Sequence, residues 1–184
     1  MINTSRLLKS GALAVAVAWS VPAADAQVGT PYGGGVWPSD YNFVMQAAFG
    51  GWGEVAAGQV AEQDTGNPTV QNIGAMMVAD HTRANQQLAA LAAARGITAP
   101  TTPDPGRQGV VEMLREMIGE PDFAQAYIGE QIPDHLVAIT LYQAEATSSL
   151  DPGLRAFAQQ TLPILQHHLQ VLEAASASPI ASAR

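Results

Sequence analysis

Four polar side chains stand where helical periodicity demands apolar ones: Glu54, His81, His135 and His168. His81 follows Met77 by four residues and precedes Ala84 by three, within a face that also holds Val70, Ile73, Leu88 and Leu91. His135 shares a face with Ile128, Ile132, Ile139 and Tyr142, and His168 with Leu154, Phe157, Thr161, Ile164 and Val171. A buried imidazole must be hydrogen-bonded, paired or metal-bound, because an unsatisfied polar group in a core is costly. Three imidazoles and one carboxylate are the donor set of a transition-metal site, suited to zinc, copper or iron. The bland alternative is a metal-free network of hydrogen-bonded core residues, which is the usual fate of a single core histidine. Asp80 and Asp134 each precede a core histidine and point away from it on the same helix. They are placed to support the imidazole of a neighbouring helix, as carboxylates commonly do around metals. His167 is out of phase with its stripe, so His168 is the inward residue.

Other chemistries find no support. Carboxylate-bridged di-iron bundles place a glutamate three residues before the histidine on two helices, but Val78, Ile132 and Leu165 occupy those positions here. There is no Ser/His/Asp arrangement, glycine-rich phosphate loop or Cys/His zinc spacing. Met45, Met76 and Met77 read as packing, and Trp37, Trp52 and Tyr142 as core or leader-docking groups.

The helices that must hold these residues are legible from their punctuation. Ser39 or Asp40 is expected to cap a first helix running to about Asp64. Its inward stripe is Val44, Ala47, Gly51, Glu54, Gly58 and Ala61. Glycines at 50, 51, 53 and 58 lower helix propensity by roughly 1 kcal/mol each relative to alanine, a loss that needs a packing or functional reason. Asn67-Pro68 starts a second helix, with Val70–Arg95 as its body and Gly96 as a left-handed stop. Three prolines between residues 97 and 106 mark a long connection. A short helix, Gln108–Ile118, follows and breaks at Gly119-Glu120-Pro121. A third long helix spans about Asp122 to Ser148, and Asp151-Pro152 opens a fourth that fades after Ala174. Pro133 and Pro163 sit inside the last two long helices, where each removes a backbone donor.

Depth along each helix can be estimated from its ~1.5 Å rise per residue. Measured from turns at Gly66 and Leu150, the paired polar residues of each hairpin differ in depth by less than one turn. Glu54, His81, His135 and His168 therefore form one mid-bundle layer. The expected fold is all-α: a ferritin-like four-helix bundle, two helical hairpins joined by a long crossover that carries an extra short helix. The expected divisions are a signal peptide at 1–26, a Gly/Pro-rich leader at 27–38, the bundle at 39–176 and a disordered tail at 177–184.

The signal peptide rests on Arg6 and Lys9 before the apolar run Ala12–Val21, with Ala24-Asp25-Ala26 as the cleavage site. The mature chain is then periplasmic or secreted, with no membrane span. The sequence has no cysteine, which excludes disulfides and a lipidated cysteine anchor. Its formal net charge of −8 argues against nucleic acid as a partner; a protein partner is left open.

Four stretches also carry a family resemblance: Phe43–Gly58 (FVMQAAFGGWGEVAAG), Met77–Asn85 (MVADHTRAN), Asp134-His135 and Leu162–Leu169 (LPILQHHL). They resemble the bacterial family called domain of unknown function 4142, over about residues 40–175. The resemblance implies an exported, ferritin-like helical domain in which Glu54, His81, His135 and His168 are the recurring polar positions. It implies no activity. Three functional readings follow: a metal-binding bundle, a metal-free structural or interaction module of the cell envelope linked to stress tolerance, and an enzyme, which would need an open coordination position.

Overall fold

A computed structural model of the chain describes residues 36–64 and 66–177. The expected signal peptide, most of the leader and the end of the tail lie outside these residues. The described part is all-helical, with five helices and no strand. They are α1 (Pro38–Gln63), α2 (Pro68–Ala93), α3 (Pro105–Glu116), α4 (Phe123–Ser148) and α5 (Pro152–Ala177). None is long and apolar enough to cross a membrane.

Four of the five helices begin with proline, whose missing N–H costs nothing in the first turn. Asn67 caps α2 by accepting from the amides of Thr69 and Val70. Asp104 does the same for α3 through Gly106 and Arg107. The expected cap of α1 is corrected: Trp37 is the capping residue and makes no side-chain cap bond, because Pro38 already occupies the first helical position. Asp40 is instead fully buried and accepts a hydrogen bond from Ser149 Oγ. At the end of α2, Gly96 adopts φ +72°, the amide of Ile97 donates to Ala92 O and that of Gly96 to Ala93 O. This paired pattern needs a left-handed residue, hence the glycine.

The helices α1 and α2 pack as one hairpin, α4 and α5 as another; α1 also lies on α4, and α2 on α5. The short helix α3 packs on α1 and α4. Every residue of the predicted α1 stripe, from Val44 to Ala61, is buried. Three of its four glycines, 51, 53 and 58, have steric reasons. A Cβ on Gly58 would meet Gly74 O at 2.8 Å, and one on Gly74 would meet Gly58 O at 2.6 Å, so α1 and α2 touch backbone to backbone. A Cβ on Gly51 would overlap the Asn85 amide, and one on Gly53 would sit 2.6 Å from Arg107 Cδ.

The apolar core comes in two blocks. One gathers Phe43, Leu88, Tyr142, Leu154 and Phe157; the other gathers Val60, Met77, Leu114, Tyr127 and Leu172. Phe43, Tyr142 and Phe157 meet edge-on or tilted, with ring centroids 5.0–6.3 Å apart. Between the blocks runs the polar layer. The predicted stripe of α5 is rotated: Leu165 and Leu172 are buried while Ile164 is exposed and Val171 only half-buried. Both stripes keep helical spacing through Leu154, Thr161 and His168, so periodicity alone does not separate them.

Candidate metal centre

Three histidines from three helices meet in the middle layer: His81 of α2, His135 of α4 and His168 of α5. Their ring centroids are 5.3–5.7 Å apart. One nitrogen of each ring lies within 4.8 Å of the others, the one such histidine and carboxylate grouping among the described residues. Relative exposures are 6% for His81, 1% for His135 and 0% for His168, whereas His167 faces solvent.

Hydrogen bonding fixes which nitrogen carries the proton. His135 Nδ1 is 2.9 Å from the Gln131 backbone carbonyl, which can only accept. Nδ1 therefore bears the hydrogen, and Nε2 of the neutral ring has a free lone pair. His168 Nε2 is 3.1 Å from Asp80 Oδ2 and donates to that carboxylate, leaving the lone pair on Nδ1. These two lone-pair nitrogens face each other at 3.4 Å. In neutral rings this contact is two acceptors without a hydrogen between them. His81 Nε2, also buried, has no partner.

The rings are held neutral. Burial, then the neighbouring imidazoles His135 and His168, keeps His81 well below its ordinary pKa. Burial lowers His135 to about 4, with the Gln131 carbonyl opposing and His168 adding to the shift. Burial also lowers His168, against the pull of Asp80. A shared proton is thus disfavoured at neutral pH, and one nitrogen of each ring lies close enough to the others for the three to hold one cation. Nitrogens bound at 2.0–2.1 Å around a tetrahedral ion stand about 3.3–3.4 Å apart. The His135–His168 pair already meets that spacing. The widest separation, up to 4.8 Å, closes with side-chain shifts of the order of 1 Å.

The remaining predicted residues take separate places. Asp80 orients His168 from the adjacent helix and is itself paired with Arg83 at 3.1 Å. Glu54 Oε1 lies 3.7 Å from His135 Nδ1, the ring edge away from the His168 contact, and Oε2 has no partner. Burial first, then the charge of Asp134, pushes the Glu54 carboxyl up to about 8, with Arg107 and Gln131 pulling the other way. Asp134 faces Arg107 at 3.8 Å; no hydrogen bond joins it to any of the three rings.

Three contributors escaped the sequence reading. Gln131 lies one turn before His135 and buries its side chain as well as offering its carbonyl. Asn85 lies one turn after His81 and fits because residue 51 is glycine. Both are polar residues on an inward stripe, four positions from a histidine, and that spacing was the available signal. Arg107 reaches the layer from α3, pairing with Asp104 and covering Gly50 and Gly53 of α1. Nothing local in its sequence marks it as inward-facing.

No curated protein and no solved structure matches the chain. A family model matches residues 27–175. With the buried histidine trio on the helices that this match spans, the chain belongs to the family described as domain of unknown function DUF4142.

Proposed function

We propose that this protein is an exported, ferritin-like four-helix bundle that binds one transition-metal ion through His81, His135 and His168. The bundle reading is supported by the cyclic packing of α1 on α2, α2 on α5, α5 on α4 and α4 on α1, and by the long connection bearing α3. Export follows from the basic start, apolar run and small-residue cleavage site of residues 1–26.

The observation that carries the metal reading is the facing pair of lone pairs on His135 Nε2 and His168 Nδ1 at 3.4 Å. Each ring's other nitrogen donates to a fixed acceptor, the support usual for metal-bound histidine. Three neutral imidazoles without thiolate favour zinc or copper. Glu54 belongs to the outer support of His135 in this reading, with Asp80 in the same role at His168.

The test is metal content. Protein without a histidine tag, stripped with chelator and dialysed against zinc or copper, should retain close to one ion per chain by mass spectrometry. His135→Ala and His168→Ala should abolish retention, and His167→Ala should not. Folded wild-type protein that retains neither metal would refute the proposal.

A further inference from the structure

A cleft of about 50 Å³ opens beside the trio, lined on its polar side by Gly50, Gly51, Glu54, His81, Arg107 and Asp134. Three buried polar atoms among those residues have no hydrogen-bond partner: Glu54 Oε2, His81 Nε2 and Arg107 Nε. The side chains of Glu54 and His81 are more than nine-tenths buried, so these are not solvated surface groups. We infer that this cleft is a docking site for a small inorganic or carboxylate anion that completes the coordination of an ion held by the three histidines. The inference rests on the metal reading and adds the ligand class to it.

Size sets the first limit. A single water needs roughly 10–15 Å³ of such space, so the cleft takes a ligand of three or four heavy atoms rather than a metabolite. Charge sets the second. The Arg107 guanidinium is committed through Nη1 to Asp104, which also caps α3, while Nε is ion-paired with Asp134 but makes no hydrogen bond. Asp134 Oδ2, at 3.8 Å from Nε, lies beyond hydrogen-bond reach. A guanidinium N–H with unused hydrogen-bonding capacity beside a divalent cation recognises an anion through one charge-assisted hydrogen bond and one coordinate bond. Position is the third limit. Three histidines leave a fourth tetrahedral place open, as sites that exchange ligands do. His81 is the member of the trio that lines the cleft, so an incoming ligand meets the ion from that side.

The glycines give the cleft its shape. Gly51 admits Asn85, and Gly53 lets Arg107 lie against α1. A larger residue at position 53 would push the arginine aside.

The test uses the full chain loaded with copper, and azide as the probe. Azide should bring up a charge-transfer band that saturates, and formate should compete for it. Arg107→Gln should weaken azide about tenfold or more, the worth of a charged hydrogen bond, with copper affinity unchanged. Ala138→Phe, from the α4 wall of the cleft, should block azide while copper is retained. Copper retention without an azide band would overturn the inference and leave the metal reading intact. Azide binding unaffected by either variant would overturn it too. Failure to bind copper or zinc at all would refute both.

Discussion

If the three histidines hold a metal ion, removing it should cost stability in a way that depends on pH less steeply than free histidine chemistry dictates. A ligand that binds only the folded state, at one hundred times its dissociation constant, stabilises by about 2.7 kcal/mol. For a domain of this size that is about 5–11 °C in melting temperature. Three ordinary imidazoles, with pKa near 6.5, would lose about a thousandfold in metal affinity between pH 7.5 and 5.5 by proton competition, enough to erase the gain. In this fold His135 is lowered to about 4, and His81 and His168 are lowered as well. Fewer protons compete at pH 5.5 than with free imidazoles, so part of the metal-dependent shift should survive there. The metal-free protein behaves differently. Its depressed imidazoles contribute stability that is present above the unfolded pKa of about 6.5 and is lost as pH falls toward about 4. Glu54 acts in the opposite sense. Its raised pKa makes the folded state hold a proton the unfolded chain releases, so stability drains as pH climbs from the carboxylate range toward about 8. Only the difference between metal-loaded and chelator-stripped melts isolates the site. The assay is a pair of thermal melts at pH 7.5 and 5.5, with zinc or copper against chelator. A metal shift that vanishes already at pH 5.5, or one that persists in a His135→Ala/His168→Ala double variant, would refute the reasoning.

Further outcomes follow from the helix packing and hydrogen bonds. Gly74→Ala should destabilise by roughly 1–3 kcal/mol in urea unfolding, because its Cβ would press on the Gly58 carbonyl and backbone cannot yield cheaply. Gly53→Ala meets only the flexible Arg107 side chain and should change stability by less than about 1 kcal/mol, since better helix propensity offsets the contact; equal losses at the two glycines would contradict the packing described. Asp80→Ala frees the His168 ring and should weaken metal affinity about 10–100-fold in a chelator competition. Asp151→Ala removes the acceptor for the Gly153 and Leu154 amides and the partner of Arg95, and should cost about 1–3 kcal/mol.

Much of this was legible in one sequence because helices announce their ends and faces. Asn67-Pro68 and Asp151-Pro152 each mark a start, Gly96 marks a stop, and the α1 stripe from Val44 to Ala61 reads inward throughout. The choice of His168 over His167 needed only phase. What escaped needed geometry. The stripes through Ile164 and through Leu165 both carry apolar residues at helical spacing, and only the neighbouring helices select between them. Ser39 and Asp40 look like caps, yet the helix is capped two or three residues earlier, at Trp37, and Asp40 is buried against Ser149.

The site shows the same division at atomic scale. Spacing locates His135 on a buried face, and it cannot say which nitrogen faces the bundle axis. That depends on Gln131, whose carbonyl accepts the Nδ1 hydrogen one turn earlier. His168 depends in turn on Asp80, which arrives from another helix, 88 residues away. The two acceptors orient two lone pairs toward each other, an arrangement that neutral rings would not adopt for their own hydrogen bonding. A purely structural pair is better served when one ring turns its N–H toward the other's lone pair, which two outside acceptors prevent. Keeping both acceptors, on both rings, is the physical reason to look for a cation between them.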